Sequence, residues 1–284
     1  MNHVIKKGVK ILIVLIFLAI FTRVFTWFVV TTEDSIVERN AYGTIVGAEP
    51  VYENGCDTAV LLLHGLGSSP SDFWQLYPLL DKKGLTVSAP LLEGHGTSPK
   101  DLSRTNHEAW LLNAEGEYAK LKNKDVIVVG NSMGSLLALE LASKHDLKKV
   151  VLINPPLKLK SKFVDFLPIF WLFESYHPKD IFSVRDDNLP SFAVTYKVFP
   201  LKSISELLTL QEEVTGKLSE VDDPMIIFQS EKDNLVNSES TRIITERVTS
   251  QDKKVRFLLN STHTYFSEED LEIVKAEIDS LLVC

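Results

Sequence analysis

The segment Gly130-Asn131-Ser132-Met133-Gly134 directly follows an apolar run, Val126 to Val129, and opens a stretch of helical character, Ser135 to Lys144. A serine in so tight a strand-to-helix turn takes a strained backbone and leaves its hydroxyl exposed. Small residues two before and two after it let the neighbouring chain pass closely. Such a hydroxyl becomes a nucleophile for acyl transfer once a nearby base takes its proton. The pentad also suits an ordinary glycine-flanked turn, so the other groups that acyl transfer needs must be sought along the chain.

A base should lie in a loop after a late strand, downstream of both serine and acid. Of the seven histidines only His263 meets this, in Asn260-Ser261-Thr262-His263-Thr264 after the apolar run Val255 to Leu259. His3 belongs to the N-terminal tip, His107, His145 and His177 read as surface residues, and His95 in Glu93-Gly94-His95-Gly96 reads as structural. The acid should follow the run Met225 to Gln229, where Glu231 and Asp233 are available. Asp233 is chosen, to hold the imidazole of His263 in one tautomer and to stabilise the imidazolium formed when Ser132 loses its proton. A loop aspartate that merely caps the next helix is the plain alternative. The negative oxygen of acyl transfer needs backbone N–H donors. Leu66, in Leu61-Leu62-Leu63-His64-Gly65-Leu66-Gly67-Ser68-Ser69-Pro70, and Met133 are the candidates, with His64 expected to brace that loop.

Loops at strand ends need a sheet to carry them. Thr58 to Leu63, Thr86 to Ala89, Val126 to Val129, Lys149 to Ile153, Met225 to Gln229 and Val255 to Leu259 are short continuous apolar runs separated by helical stretches. Runs of that kind suit strands buried on both faces, which predicts an α/β fold with a mostly parallel sheet flanked by helices. Ser267 with Glu268, Glu269 and Asp270 starts a final helix whose apolar stripe is Leu271, Val274, Ile278 and Leu281. Between about 155 and 216 the rhythm breaks, with Phe163, Phe166, Phe170, Trp171, Phe173 and Tyr176 and several prolines. That length exceeds a simple crossover and predicts an inserted cap. The aromatic run is too short to span a membrane, and suits either the cap core or a lipid-facing entrance.

The 284 residues fit one catalytic domain, and 45% hydrophobic with 24% charged residues are enough to build a core. A net charge of -8 without a basic block excludes nucleic acid as a partner. At the N-terminus, Lys6, Lys7 and Lys10 accompany an apolar run from Val9 to Val30 that only Arg23 and a few threonines interrupt. About 20 such residues cross a bilayer. A cleaved signal peptide with its core at Ile11 to Thr22 competes with an uncleaved anchor; no small-x-small cleavage site follows, which favours residues 1–30 as a membrane anchor, 31–55 as a linker with short edge strands, and 56–284 as the catalytic domain. The lysines predict a cytoplasmic N-terminus and an extracytoplasmic catalytic domain. Cys56 and Cys284 have neither metal-site spacing nor disulfide-scaffold density, and nothing in their positions calls for pairing.

With these residues assembled, the chain resembles the bacterial carboxylesterase and monoacylglycerol lipase family of α/β-hydrolases, also grouped with serine aminopeptidase-like hydrolases. The resemblance runs from about Ala48 to Leu282. It is carried by Ala48-Glu49-Pro50, His64-Gly65 with Ser69-Pro70, the stretch Ala89 to Thr97, Trp110, Ser132-Met133-Gly134, Asp233 with Val236, and His263. It implies a cap over an apolar acyl pocket, no cofactor or metal, and hydrolysis of short- to medium-chain esters or monoacylglycerols through an acyl-enzyme. Asn131, Ser135 in place of a frequent glycine, and the cap depart from the family pattern. Aminopeptidase, thioesterase or acyltransferase activity on the same three residues, and a tethered binding protein without catalysis, are the competing readings.

Overall fold

The computed structural model of the chain describes residues 2–161, 164, 175–178, 189–279 and 284. In chain order its elements are α1 (Asn2–Ser35), β1 (Val51–Glu53), β2 (Thr58–Leu63), α2 (Tyr77–Asp81), β3 (Thr86–Ala89), α3 (Pro99–Leu102), α4 (His107–Leu121), β4 (Asp125–Asn131), α5 (Met133–Ala142) and β5 (Lys149–Ile153). They continue with β6 (Tyr176–Pro178), β7 (Val198–Pro200), α6 (Leu201–Lys217), β8 (Met225–Ser230), α7 (Glu239–Arg247), β9 (Lys253–Leu258) and α8 (Glu268–Asp279).

Side chains on a strand alternate between faces, so a strand covered on both sides must be apolar throughout. β2 shows the result. Ala59, Leu61 and Leu63 join one core cluster with Val126, Val128, Val150, Leu152 and residues of α4 to α6, while Val60 and Leu62 join a second with Ile127, Val129, Val151, Phe228 and Val274 and Ile278 of α8. Each fully buried leucine or valine contributes roughly 1.5–3 kcal/mol relative to exposure, which fixes the register against a slip to the opposite face. The seven strands run in the order β1-β3-β2-β4-β5-β8-β9. All neighbours are parallel except the edge pair β1 and β3. This is the α/β-hydrolase fold, with its chemistry-bearing loops at the carboxyl ends of β2, β4, β8 and β9. The segment joining β5 to β8 contains the small antiparallel pair β6–β7 and α6. The aromatic residues Phe163, Phe166, Phe170, Trp171 and Phe173 of the expected cap lie outside the described residues.

Several expectations are corrected here. His107 and His177 are buried rather than on the surface. At the start of α4, His107 has its Nδ1 2.7 Å from Glu206 Oε2 and its Nε2 3.3 Å from Glu213 Oε1, both carboxylates coming from α6. A helix far along the chain thus covers a residue whose own neighbours look like a surface face. His145 is half-buried and stacks on Tyr118 with ring centroids 4.2 Å apart.

At the N-terminus, α1 runs on to Ser35, past the boundary expected at 31. Among the described residues no helix is long and apolar enough to cross a membrane, so the expected transmembrane helix is not supported there. The side chains of His3, Lys6, Ile11, Leu12 and Leu15 lie outside the described residues.

Cys56 and Cys284 form a disulfide with Cα atoms 5.7 Å apart across a sequence separation of 228. Their positions in the sequence gave no hint of this because proximity is created by packing: Cys56 N donates to Gly84 O, and Asp279 of α8 pairs with Lys83 beside it at 2.7 Å. The last helix therefore delivers the end of the chain to the loop before β2. A cross-link closing so long a loop constrains the unfolded chain, typically by about 2–4 kcal/mol. Reduction, or Cys56→Ser, should lower the melting temperature by on the order of 5–10 °C. In a thermal melt the reductant should have no further effect on that variant.

Candidate active site

Only one residue separates the end of β4 from the start of α5, and it is Ser132, with φ 51° and ψ -122°. The turn closes because its neighbours lack side chains. A Cβ on Gly134 would lie 1.8 Å from Leu63 O, and one on Gly130 would lie 2.2 Å from Gly134 O. Ser132 N donates to Ile153 O at 2.9 Å, so the strained residue is tied to β5 while Gly134 is pressed against β2. Ser135 is also accounted for: its buried hydroxyl donates to Gly130 O and Ile153 O at 2.8 and 3.1 Å.

Three side chains from well-separated loops meet at this turn. Ser132 Oγ lies 2.9 Å from His263 Nε2, and His263 Nδ1 lies 2.7 Å from Asp233 Oδ2. With Nδ1 donating to the carboxylate, Nε2 is left to accept the serine proton. The other carboxylate oxygen of Asp233 accepts from Leu235 N and Val236 N at 2.7 and 2.8 Å. Burial pushes the Asp233 carboxyl up, but the adjacent His263 and these N–H donors outweigh it and hold the pKa below the ordinary value. Asp233 therefore stays ionised. Glu231, the other acid considered, is exposed.

Two positioning residues went unread in the sequence. Asn154 follows β5, is fully buried, and with Ser132 is one of two non-glycine residues at positive φ among the described residues. Its Nδ2 donates to His263 O at 2.9 Å and to Ser230 Oγ at 3.2 Å, while Oδ1 accepts from Ser230 N at 2.7 Å. One side chain thus spaces the histidine loop from the strand that carries the acid. The second is Asp72. It accepts from Gly65 N at 2.9 Å, from Asn131 Nδ2 at 3.1 Å and from the Ser68 hydroxyl. This explains the polar residue before the serine: Asn131 links the nucleophile turn to the loop after β2. Ser69-Pro70-Ser71-Asp72 has the pattern of a helix start and Asn154 precedes a proline, and neither pattern names the distant groups that Asp72 and Asn154 bond.

His64 braces the same loop as expected. Nδ1 faces Gly65 O at 2.9 Å and Nε2 accepts from Leu92 N at 3.1 Å. Its ring packs edge-on against His95, which packs in turn against Trp110. Burial lowers the pKa of both imidazoles, against the pull of Asp72 on His64, so this pair is neutral. Leu66 and Met133, the expected oxyanion donors, flank Ser132 from the β2 loop and from the first residue of α5. Among the described residues neither main-chain N–H is paired with a protein acceptor.

Ser132 and His263 open into a pocket walled by Leu159, Leu189, Phe199, Ile204, Leu207 and Leu235. A strap, residues 193–196, closes one side and is bonded to the β2 loop. Tyr196 N donates to Gly67 O at 2.7 Å, Ser69 Oγ donates to Val194 O at 3.1 Å, and Val194 N donates to Ser71 Oγ at 2.9 Å. No group of three or more His, Cys, Asp or Glu residues suited to a metal ion occurs among the described residues.

Known proteins resemble this chain over most of its length. A carboxylesterase of Bacillus subtilis (strain 168) is 27% identical over 247 residues, 84% of this chain and 97% of the relative. A thermostable monoacylglycerol lipase of Bacillus sp. (strain H-257) is 30% identical over 238 residues, 82% of this chain and 93% of the relative. Among solved structures, one from a study of two metagenome-derived lipolytic enzymes superposes with a TM-score of 0.76 at 25% identity, covering 83% of this chain and 97% of that one. This chain is accordingly an enzyme of the carboxylesterase and monoacylglycerol lipase type. The family model described as "Serine aminopeptidase, S33" matches residues 55–270, from the loop before β2 into α8. A match that takes in the whole sheet beyond its first strand leaves one placement, and the chain belongs to the serine aminopeptidase (S33) family of α/β-hydrolases.

Proposed function

We propose that this protein is a membrane-tethered carboxylesterase, cleaving short- to medium-chain acyl esters or monoacylglycerols through an acyl-enzyme on Ser132. The observation that carries the proposal is the hydrogen-bonded line Asp233–His263–Ser132 ending at an apolar pocket. His263 takes the serine proton as Oγ attacks the ester carbonyl. The N–H groups of Leu66 and Met133 hold the oxyanion, each donor of this kind being worth about 3–4 kcal/mol to the transition state. His263 then gives its proton to the departing alcohol, and water activated by the same imidazole releases the acid. Asp233 keeps the imidazole oriented and stabilises its protonated form.

An ester with an acyl chain fits better than a peptide with a free amino terminus. An α-ammonium group needs an unspent carboxylate near the scissile bond. Among the described pocket-lining residues the one carboxylate is Asp72, whose oxygens already bind Gly65, Ser68 and Asn131. Burying an ammonium against leucines and phenylalanine alone would be costly.

The tether reading, with anchor 1–30, linker 31–55 and catalytic domain 56–284, is supported by α1. Ile13, Phe17, Ile20, Phe21, Phe25 and Phe28 stand half or more exposed around the helix, apolar surface that water disfavours and a bilayer accommodates. Lys6, Lys7 and Lys10 at its start favour a cytoplasmic N-terminus. The Cys56–Cys284 disulfide suits an oxidising compartment for the catalytic domain.

Ser132→Ala should abolish both turnover of p-nitrophenyl butyrate and labelling by a fluorophosphonate probe; retained turnover in that variant would defeat the mechanism. Asn154→Ala frees the histidine loop, and because small misplacements of catalytic groups cost about a hundredfold, kcat should fall by that order with KM little changed. An equal rise in KM would assign Asn154 to substrate binding instead. In sealed cells, protease added outside should degrade the catalytic domain, and protection would reverse the proposed orientation.

A further inference from the structure

The loop that carries His263 is tied at its base and near its tip. At the base, Ser261 Oγ donates to Asp270 Oδ2 at 2.7 Å and accepts from Ser267 N at 3.2 Å, and Asn260 N donates to the same Asp270 oxygen at 2.7 Å. These bonds join the loop to its own continuation into α8 and do not set where its tip stands relative to Ser132. Asn154 holds the tip from the end of β5, through His263 O. A second hold comes from the segment after β2. Gln75 Nε2 donates to Phe266 O at 2.8 Å, and Gln75 Oε1 accepts from Phe266 N at 3.0 Å, across a sequence separation of 191. One primary amide thus takes both main-chain groups of a single residue, as a neighbouring strand would. Two bonds to one residue fix direction as well as distance.

Gln75 is firmly mounted. Trp74 N donates to Ser71 O and Leu76 N to Phe73 O, continuing the single-turn helix Pro70–Phe73, and Phe73 and Leu76 on either side are buried in the same apolar cluster as Phe266. The buried ring of Phe266 already anchors that side chain in the core; the amide adds a fixed main-chain position three residues from the imidazole. The same short segment also reaches the nucleophile, because Asp72 accepts from Asn131 Nδ2, next to Ser132, at 3.1 Å. Both partners of the 2.9 Å contact between Ser132 Oγ and His263 Nε2 are therefore referred to one mount: the serine through Asn131 and Asp72, the histidine through Phe266 and Gln75. A hydrogen bond weakens steeply once distance or angle leaves the optimum, so a proton-transfer pair carried on two separate loops gains from a common reference.

We propose that Gln75 is a positioning residue for the reaction, clamping the tip of the histidine loop so that His263 Nε2 stays within proton-transfer reach of the Ser132 hydroxyl and, later in the cycle, of the departing alcohol. This rests on reading His263 as the general base and acid of ester hydrolysis. Asn154 ties His263 to the strand that carries the acid; Gln75 ties it to the nucleophile. The steps of acylation make unequal demands on this clamp. Attack needs the imidazole to take a proton from Ser132, and release of an alkyl alcohol needs it to deliver that proton to an oxygen at a new place, whereas p-nitrophenolate leaves without one. A loosened imidazole penalises an alkyl ester twice and an activated aryl ester once.

The test compares the full chain with Gln75→Met, which keeps the side-chain length and removes both bonds, on p-nitrophenyl butyrate and on ethyl butyrate. Rates are expressed per site labelled to completion by a fluorophosphonate, so that unfolded molecules do not count. In the variant kcat/KM should fall about tenfold on the aryl ester and about a hundredfold on the alkyl ester. Gln75→Glu keeps the acceptor for Phe266 N and loses the donor to Phe266 O; it should show the same widening between the two esters, and replaces the methionine variant if that one yields no labelled sites. Equal losses per labelled site on both esters, or no loss on either, overturn the positioning role while leaving ester hydrolysis on Ser132 intact. A wild type that turns over neither ester overturns the reading of the site as an esterase, and the assignment of Gln75 with it.

Discussion

The site depends on how closely the chain passes itself at the carboxyl ends of β2, β4 and β5. Gly134 touches the last carbonyl of β2, and Ser132 is held by the last carbonyl of β5, with Gly130 packed beneath the start of α5. A non-glycine residue at Ser132's φ and ψ costs about 1–3 kcal/mol and persists only where the surroundings over-determine it. Here they do, because the strands on both sides are buried on both faces and cannot shift without exposing a core. The hydroxyl consequently stands clear of the sheet, and the first N–H of α5 lies beside it at a positive helix end. On the proposed mechanism, the same backbone strain presents both the nucleophile and an oxyanion donor.

Charge around this turn is sorted by burial. Asp233 remains ionised because an imidazole and two backbone N–H groups outweigh its desolvation. His64 and His95 are kept neutral by theirs. Two imidazoles therefore serve as uncharged spacers under the β2 loop, while a third, His263, faces the ionised carboxylate of Asp233. Asp72 is the counterpart on the opposite side of the serine, a carboxylate spent wholly on holding loops.

How much of this could be read from the residues follows from the range over which each feature is determined. β2, β3 and β5 end where their apolar runs end, since complete burial demands uninterrupted apolar sequence. Ser132, Asp233 and His263 were accessible because each follows a strand, and parallel strands bring those loops to one edge. Asn154 and Asp72 were not, because a buried polar residue that bonds distant backbone is indistinguishable in sequence from an ordinary turn residue. His107 misled for a related cause, its burial being supplied by carboxylates about a hundred positions away. The disulfide was hidden in the same way: only the packing of α8 brings Cys284 to Cys56.

The strap at residues 193–196 has a further effect. Its bonds run to Gly67, Ser69 and Ser71, so the pocket wall and the loop bearing the Leu66 amide form one hydrogen-bonded unit. On the proposed mechanism, an acyl group too long or too wide for the pocket would press on the wall, and the wall would pull on the amide. Misfit would then reach the developing oxyanion and slow bond making even after the substrate has bound. Acyl size would in that way be read in turnover as well as in affinity.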